Sequence, residues 1–383
     1  MKMNEITAKT PYQAQLFFNR ISKQYKNLKK WARKNRISCY RLYDRDIPEI
    51  PLALDLYTFL PDEIEDKIEA ALFINEINTA ISQNSKNLPE ILKNESSRTY
   101  AHLYLYERPY EKDENEEKEW LKAMAESASK ALGIEENHVI IKTRKKQSDG
   151  SGKREQYEKL ESERKVQGLV MEQGQIFKVN LSDYIDTGLF FDHRPLRSVI
   201  RNECSGKSVL NLFCYTGSFS VYCAEGKAKR VQSVDMSNTY LDWAKENMIL
   251  NGFSDENRFI YTRGDCVGFL NQMNAEVENP EGSNRFDIII LDPPTFSNSK
   301  RTSSALDINR DWPLLVSKCL SILKPHGTVY FSTNSRRLIF DSEKLKEIYP
   351  LLDSFEIKDL TSSTIPEDYR NCKIHRVWSL IKK

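Results

Sequence analysis

Lys207-Ser208-Val209-Leu210-Asn211-Leu212-Phe213-Cys214-Tyr215-Thr216-Gly217-Ser218 reads as a short buried strand that runs into a glycine turn and then a helix. Downstream the same alternation repeats. Apolar strands are expected at 208–213, 231–235, 258–263, 286–291, 327–333, 355–360 and 374–381. Helices are expected near 217–226, 237–251, 265–273, 307–324 and 342–350. Strand–helix alternation predicts an α/β fold, with a mostly parallel seven-stranded sheet covered by helices on both faces. In such sheets the ligand sits at the carboxyl ends of the strands. Chemistry is therefore expected just after each strand.

The residues there bear this out. After the first strand, Gly217 would let a ligand approach the backbone, although a purely structural turn explains one glycine equally well. The dinucleotide fingerprint G-x-G-x-x-G is missing, which weakens a dehydrogenase reading. About 20 residues on, the second strand ends at Asp235, which is placed to accept both hydroxyls of a ribose or, alternatively, to cap the next helix. The third is followed by Gly264-Asp265-Cys266. Asp265 suits an adenine amino group, and an N-cap is the rival role. The fourth ends in Asp292-Pro293-Pro294-Thr295-Phe296, a stiff loop suited to fixing a planar base beside a reacting group.

This order resembles the class I S-adenosylmethionine-dependent methyltransferases, with their Rossmann-like domain. More narrowly, Asn211-Leu212-Phe213-x-Tyr215-Thr216-Gly217-Ser218 and Val234-Asp235-Met236-Ser237 are similar to the RlmK group of 23S ribosomal RNA guanine-N7 methyltransferases. So are Asp292 to Arg301 and Cys39-Tyr40-Arg41-x-Tyr43-Asp44. In that group the domain is often the C-terminal half of a longer chain fused to a guanine-N2 methyltransferase, so this chain resembles a stand-alone version. Asp186-Thr187-Gly188-Leu189-Phe190-Phe191-Asp192-His193-Arg194 resembles a Thr-Gly-x-Phe-x-Asp-x-Arg motif, shared with the related cytosine-C5 enzymes. The resemblance implies that Asp192 and Arg194 meet the methionine end of S-adenosylmethionine. It also implies that the turn Asn211, Phe213, Tyr215, Thr216, Gly217 and Ser218, with Asp235, Met236, Asp265, Cys266 and Asp292, lines the rest of the cofactor. Asp292, Pro293 and Pro294 would form the catalytic loop. Phe296, Lys300, Arg301 and Asn334 would face RNA.

Which atom is methylated turns on cysteine. Cytosine-C5 enzymes need a nucleophilic thiol after the fourth or fifth strand. Here those places read Asp292-Pro293-Pro294-Thr295 and Phe331-Ser332-Thr333-Asn334-Ser335, without one. Cys214 and Cys266 read as small packing residues. Guanine N7 carries an in-plane lone pair and no proton to lose, so alignment suffices and no general base is required. Exocyclic N2 or N6 transfer stays chemically open, as does a non-catalytic RNA-binding assembly factor.

The N-terminal half predicts a smaller α+β domain. Leu16, Phe17, Ile21, Tyr25, Leu28 and Trp31 recur at helical spacing over 11–36, with Pro11 in the first turn. A hairpin is expected around Cys39–Glu49, strands at 101–106 and 139–143, and helices at 61–82 and 116–132 stopped by Gly133. Residues 83–99, 107–115 and 144–165 read as loops, and 166–171 with 176–181 as a second hairpin. The expected organisation is a basic helix at 1–36, an accessory domain at 37–182 and the methyltransferase domain at 183–383.

From Ile6 to Tyr43 the sequence carries ten Lys and Arg and no acidic residue, against a whole-chain charge of only +2, so the remainder is net acidic. A solvated helix face is one reading. The other is an RNA-phosphate surface carried by Lys23, Lys26, Lys30 and Arg33, with Tyr40 of the hairpin nearby. Seven cysteines without a C-x-x-C pair and five scattered histidines argue against a disulfide framework and a metal site. No apolar run reaches the ~18 residues of a membrane span, and Met1–Thr10 has no signal-peptide core. A cytoplasmic protein is expected, compatible with a monomer, with 23S ribosomal RNA or its precursor as partner.

Overall fold

A computed structural model describes residues 2–106, 113–143, 165–184, 186–277, 285–297 and 305–383. The chain forms two compact units, Met1–Phe191 with Glu367–Arg370, and Asp192–Pro366 with Asn371–Lys383.

The first unit begins with helix α1 (Lys2–Lys34), followed by β1 (Cys39–Asp44) and β2 (Leu52–Thr58). Next come α2 (Lys67–Ser82), α3 (Leu88–Ser97), β3 (Thr99–Leu105), α4 (Glu114–Leu132) and β4 (Val139–Thr143). The sheet runs β1-β2-β3-β4, with only β3 and β4 parallel. Phe17, Ile21 and Leu28 of α1 and Trp120 and Met124 of α4 are buried in one core with Leu42, Leu54 and Leu103 of the sheet. The hairpin of β5 (Gln167–Glu172) and β6 (Gln175–Asn180) turns through Gln173 and Gly174, both at positive φ as its tight turn requires.

Four elements differ from the sequence expectation. The hairpin expected around Cys39–Glu49 takes its second strand from beyond that stretch, β2 at Leu52–Thr58. α1 starts nine residues before Pro11, which lies inside it. α2 starts at Lys67, where the Asp66 carboxylate accepts from the Ile68 and Glu69 amides and stops the helix from extending back to residue 61. Residues 88–97, expected as loop, form α3, with Pro89 in the first turn. Gly133 does stop α4, at φ +67. The loop expected at 144–165 falls almost entirely outside the described residues.

The second unit opens with α5 (Arg194–Glu203), absent from the sequence expectation. It continues with β7 (Ser208–Leu212), α6 (Ser218–Glu225), β8 (Arg230–Asp235), α7 (Asn238–Leu250), β9 (Phe259–Arg263), α8 (Cys266–Val277) and β10 (Phe286–Leu291). Two short strands, β11 (Phe296–Ser297) and β12 (Leu306–Asp307), precede α9 (Ile308–Ser321), β13 (Leu323–Thr333), α10 (Ser342–Ile348), β14 (Phe355–Asp359) and β15 (Arg376–Lys382). The seven-stranded sheet runs β14-β15-β13-β10-β7-β8-β9, and β15 alone is antiparallel to its neighbours. This is a Rossmann-like α/β fold. Strand order reverses between β10 and β7, the place where such sheets open a crevice. No helix among the described residues is long and apolar enough to cross a membrane.

Candidate active site

Register brings the candidate residues to one edge. Leu212 pairs with both Leu291 and Val234, and Asp235 pairs with Arg263. The residues that follow β7, β8, β9 and β10 therefore leave the sheet side by side. Leu291 also pairs with Phe331, so Ser332 stands level with Asp292.

The turn after β7 is held in an unusual backbone. Phe213 (φ +55), Tyr215 (φ +50) and Gly217 (φ +74) are all left-handed, a costly conformation for the first two. The surroundings pin it there. The Phe213 amide donates to Cys266 Sγ (3.2 Å), the Cys214 amide to the Val234 carbonyl (3.1 Å) and the Tyr215 amide to Asp235 Oδ2 (3.0 Å). Gly217 has a packing task. A Cβ there would lie 2.7 Å from the Ala244 Cβ, so the missing side chain makes room for α7.

Asp235 receives the Tyr215 amide on one oxygen and the Ser237 amide on the other (2.9 Å). Burial pushes its pKa up, and the backbone donors from Ser237, Tyr215 and Met236 oppose this. Asp265 does cap α8, with Oδ1 accepting from Val267 (3.3 Å) and Oδ2 from Gly268 (3.1 Å). Asn211 and Thr216 are buried. Asn211 donates to Ser220, which bonds Ser233, and the Thr216 carbonyl accepts from Asn247. These two support the turn from beneath, while Phe213, Tyr215, Ser218 and Met236 are half-buried along it. Burial raises the thiol pKa of both Cys214 and Cys266, as befits packing residues.

Beyond β10, Pro293 is buried, Thr295 is exposed and Phe296 is 44% exposed. Asn334, past β13, is exposed too. Lys300 and Arg301 lie outside the described residues. Asp292 Oδ1 accepts from the Ser332 hydroxyl and lies 3.6 Å from His193 Nε2. Behind it runs a buried chain that sequence reasoning missed. His193 Nδ1 faces Asp192 Oδ1 (3.4 Å), His375 Nδ1 faces Asp192 Oδ2 (3.2 Å), and His375 Nε2 meets Thr364 Oγ1 (3.0 Å). Burial opposes charge on His193, but Asp192 and Asp292 hold its pKa up to about 9. Burial likewise opposes charge on Asp192, yet the two imidazoles hold its carboxyl well below the usual range. Asp192 is thus turned inward, onto histidines, with 4% exposure. Arg194 is 1% exposed. His375 lies 183 residues from Asp192, and no local signal marks it.

In the first unit the basic helix divides. Arg20 pairs with Asp46, and Arg33 donates to both oxygens of Glu95 at 2.9 Å. Arg33 is therefore no free phosphate contact. Lys23, Lys26 and Lys30 are exposed. Tyr40, expected beside RNA, is only 4% exposed, with its ring edge-on to Trp31.

The sheet, the strained turn, and the acidic groups after β8, β9 and β10 are the framework of a nucleoside-binding transferase. Residues 91–347 match the S-adenosylmethionine-dependent methyltransferase family, and the chain belongs to it. Over 367 residues it is 38% identical to the ribosomal RNA large subunit methyltransferase K/L of Stutzerimonas stutzeri, and over 371 residues to that of a Marinomonas species. Those matches cover 96% and 97% of this chain but 42% and 43% of theirs, so it spans less than half the length of these curated relatives. Two solved structures share the fold. SMU.776, complexed with SAH, superposes with a TM-score of 0.65 at 19% identity, and a Streptococcus mutans chain with 0.63 at 17%. Each match covers 96% of this chain and 81% of the other.

The donor set fits S-adenosylmethionine, the family's cofactor. Asp235 offers carboxylate lone pairs beyond its amide bonds, and Asp265 offers the same at the next strand end. When bound, the cofactor supplies an electrophilic sulfonium methyl group. The chain's part is to fix the turn, present acceptors at the crevice and hold Asp292 in place.

Proposed function

We propose that the chain transfers a methyl group to N7 of a guanine in 23S ribosomal RNA. The relatives' names support ribosomal RNA as the substrate. Exposed Lys23, Lys26 and Lys30 supply phosphate contacts, and the first unit serves as the RNA-binding part. Asp192, Arg194, Asp235, Met236 and Asp265 serve the cofactor, directly or by holding the turn beside it.

The observation that carries the N7 reading is the state of Asp292. Its carboxylate accepts from Ser332 and faces the His193 imidazolium, so it is engaged rather than poised to remove a proton. Guanine N7 needs no proton removed. Two carboxylates, Asp192 and Asp292, flank His193, which leaves negative charge to favour a cationic purine product. The described cysteines near the crevice, Cys214 and Cys266, have raised pKa values, which disfavours a thiol adduct. Exocyclic amino transfer is a second reading, favoured by exposed Phe296 after the Pro-Pro pair as a stacking platform. Incubation of the chain with labelled cofactor and ribosomal RNA, followed by nucleoside digestion, separates the readings. 7-Methylguanosine is expected; N2-methylguanosine or 5-methylcytosine as the product would overturn N7.

A further inference from the structure

A cavity of about 660 Å³, mouth included, opens in the first unit between the end of α1, the β1–β2 face, α2 and the end of α3. The lining is mostly apolar: Leu56, Phe59 and Ile77 are buried there, and Phe73 stands half-buried at the side. Four cations border it, namely Lys29, Arg33, Arg36 and Arg98. Glu95 is the one acid in the lining. Arg33 bonds both its oxygens and Lys29 lies 3.7 Å away, so its charge is answered. Arg36 is exposed at the mouth.

Tyr40 gives the cavity its second feature. The residue is 96% buried and lines the cavity. Burial raises its pKa well above the ordinary value, so it remains a neutral donor.

An apolar slot, a neutral phenol along it and a cationic mouth match the parts of a nucleotide. A flat base fills the slot, its edge carries acceptors, and its phosphate is anionic. The exposed Lys30, Lys26 and Lys23 continue the positive charge along α1, which favours a nucleotide within a strand over a free one. We propose that this cavity takes one nucleotide of single-stranded RNA, with its base against Phe59 and Tyr40 and its phosphate at Arg36 and Arg98. The inference rests on the RNA reading above.

The test measures binding of a labelled single-stranded RNA oligonucleotide to the full chain by fluorescence anisotropy, with cofactor affinity and melting temperature as controls. Asn78→Trp fills the mouth from half-buried Asn78 on α2, and Tyr40→Phe removes only the hydroxyl. The first should weaken binding by roughly tenfold or more and the second by roughly threefold. Adenosine or guanosine 5′-monophosphate should compete with RNA in the wild type. RNA affinity within twofold of wild type in both folded variants overturns the cavity. Binding of the free monophosphates without the oligonucleotide overturns RNA as the source. A wild type that binds no RNA overturns the substrate reading itself.

Discussion

Gly217 and His193 show how single residues constrain this site. Gly217 combines a φ of +74 with a would-be Cβ 2.7 Å from Ala244. Gly217→Ala should therefore cost about 1–3 kcal/mol, read from urea unfolding, because strain and clash add. His193 carries more protons folded than unfolded between its ordinary pKa of 6.5 and about 9. Its stabilisation is full below pH 6.5 and is lost as pH rises through about 9. The melting temperature of the wild type should fall across that window, and His193→Gln should flatten the fall. A variant with the wild-type slope would place the proton elsewhere. Asp265→Asn separates two roles. Asn keeps one of the two cap acceptors, so stability should fall by no more than about 1 kcal/mol. Cofactor affinity should drop if the carboxylate also receives the adenine amino group; unchanged affinity would leave Asp265 a cap alone.

At the scale of elements, the order of the second unit was legible because buried strands of β-branched and aliphatic residues alternate with helices at regular intervals. The strand ends Asp235 and Asp292 were legible for the same reason. α3 was hidden by composition: Asn and Ser around 83–97 suggested a loop, while Leu88, Ile91 and Leu92 supported a helix. The Asp192–His193–His375 chain was hidden by distance. His375 immediately precedes β15, the antiparallel partner of β13, where Arg376 pairs with Thr333, and only the sheet register reveals it. The same register stacks Trp312 of α9, Phe331 of β13, Phe340 and Trp378 of β15, with ring centroids 4.8–6.1 Å apart. Trp312 is 2% exposed, so Trp312→Ala should cost about 3–5 kcal/mol in denaturant unfolding and loosen the strand that presents Ser332.

For the whole molecule, a net charge of +2 conceals segregation, because acid-free 6–43 is joined to an acidic remainder. The structure refines this further. Arg20, Lys29, Arg33 and Arg41 face acids brought by the fold, whereas Lys23, Lys26 and Lys30 remain exposed. Replacing those three lysines with alanine should lower the slope of log affinity for RNA against log salt by about 2, with cofactor binding unchanged. An unaltered slope would remove α1 from the RNA surface.

Methyl transfer to guanine N7 is the central claim, and strand scission at 7-methylguanosine after borohydride and aniline treatment tests it most directly. Large-subunit ribosomal RNA from cells with and without the gene should differ by the loss of one such cleavage. Identical cleavage in both would contradict the account.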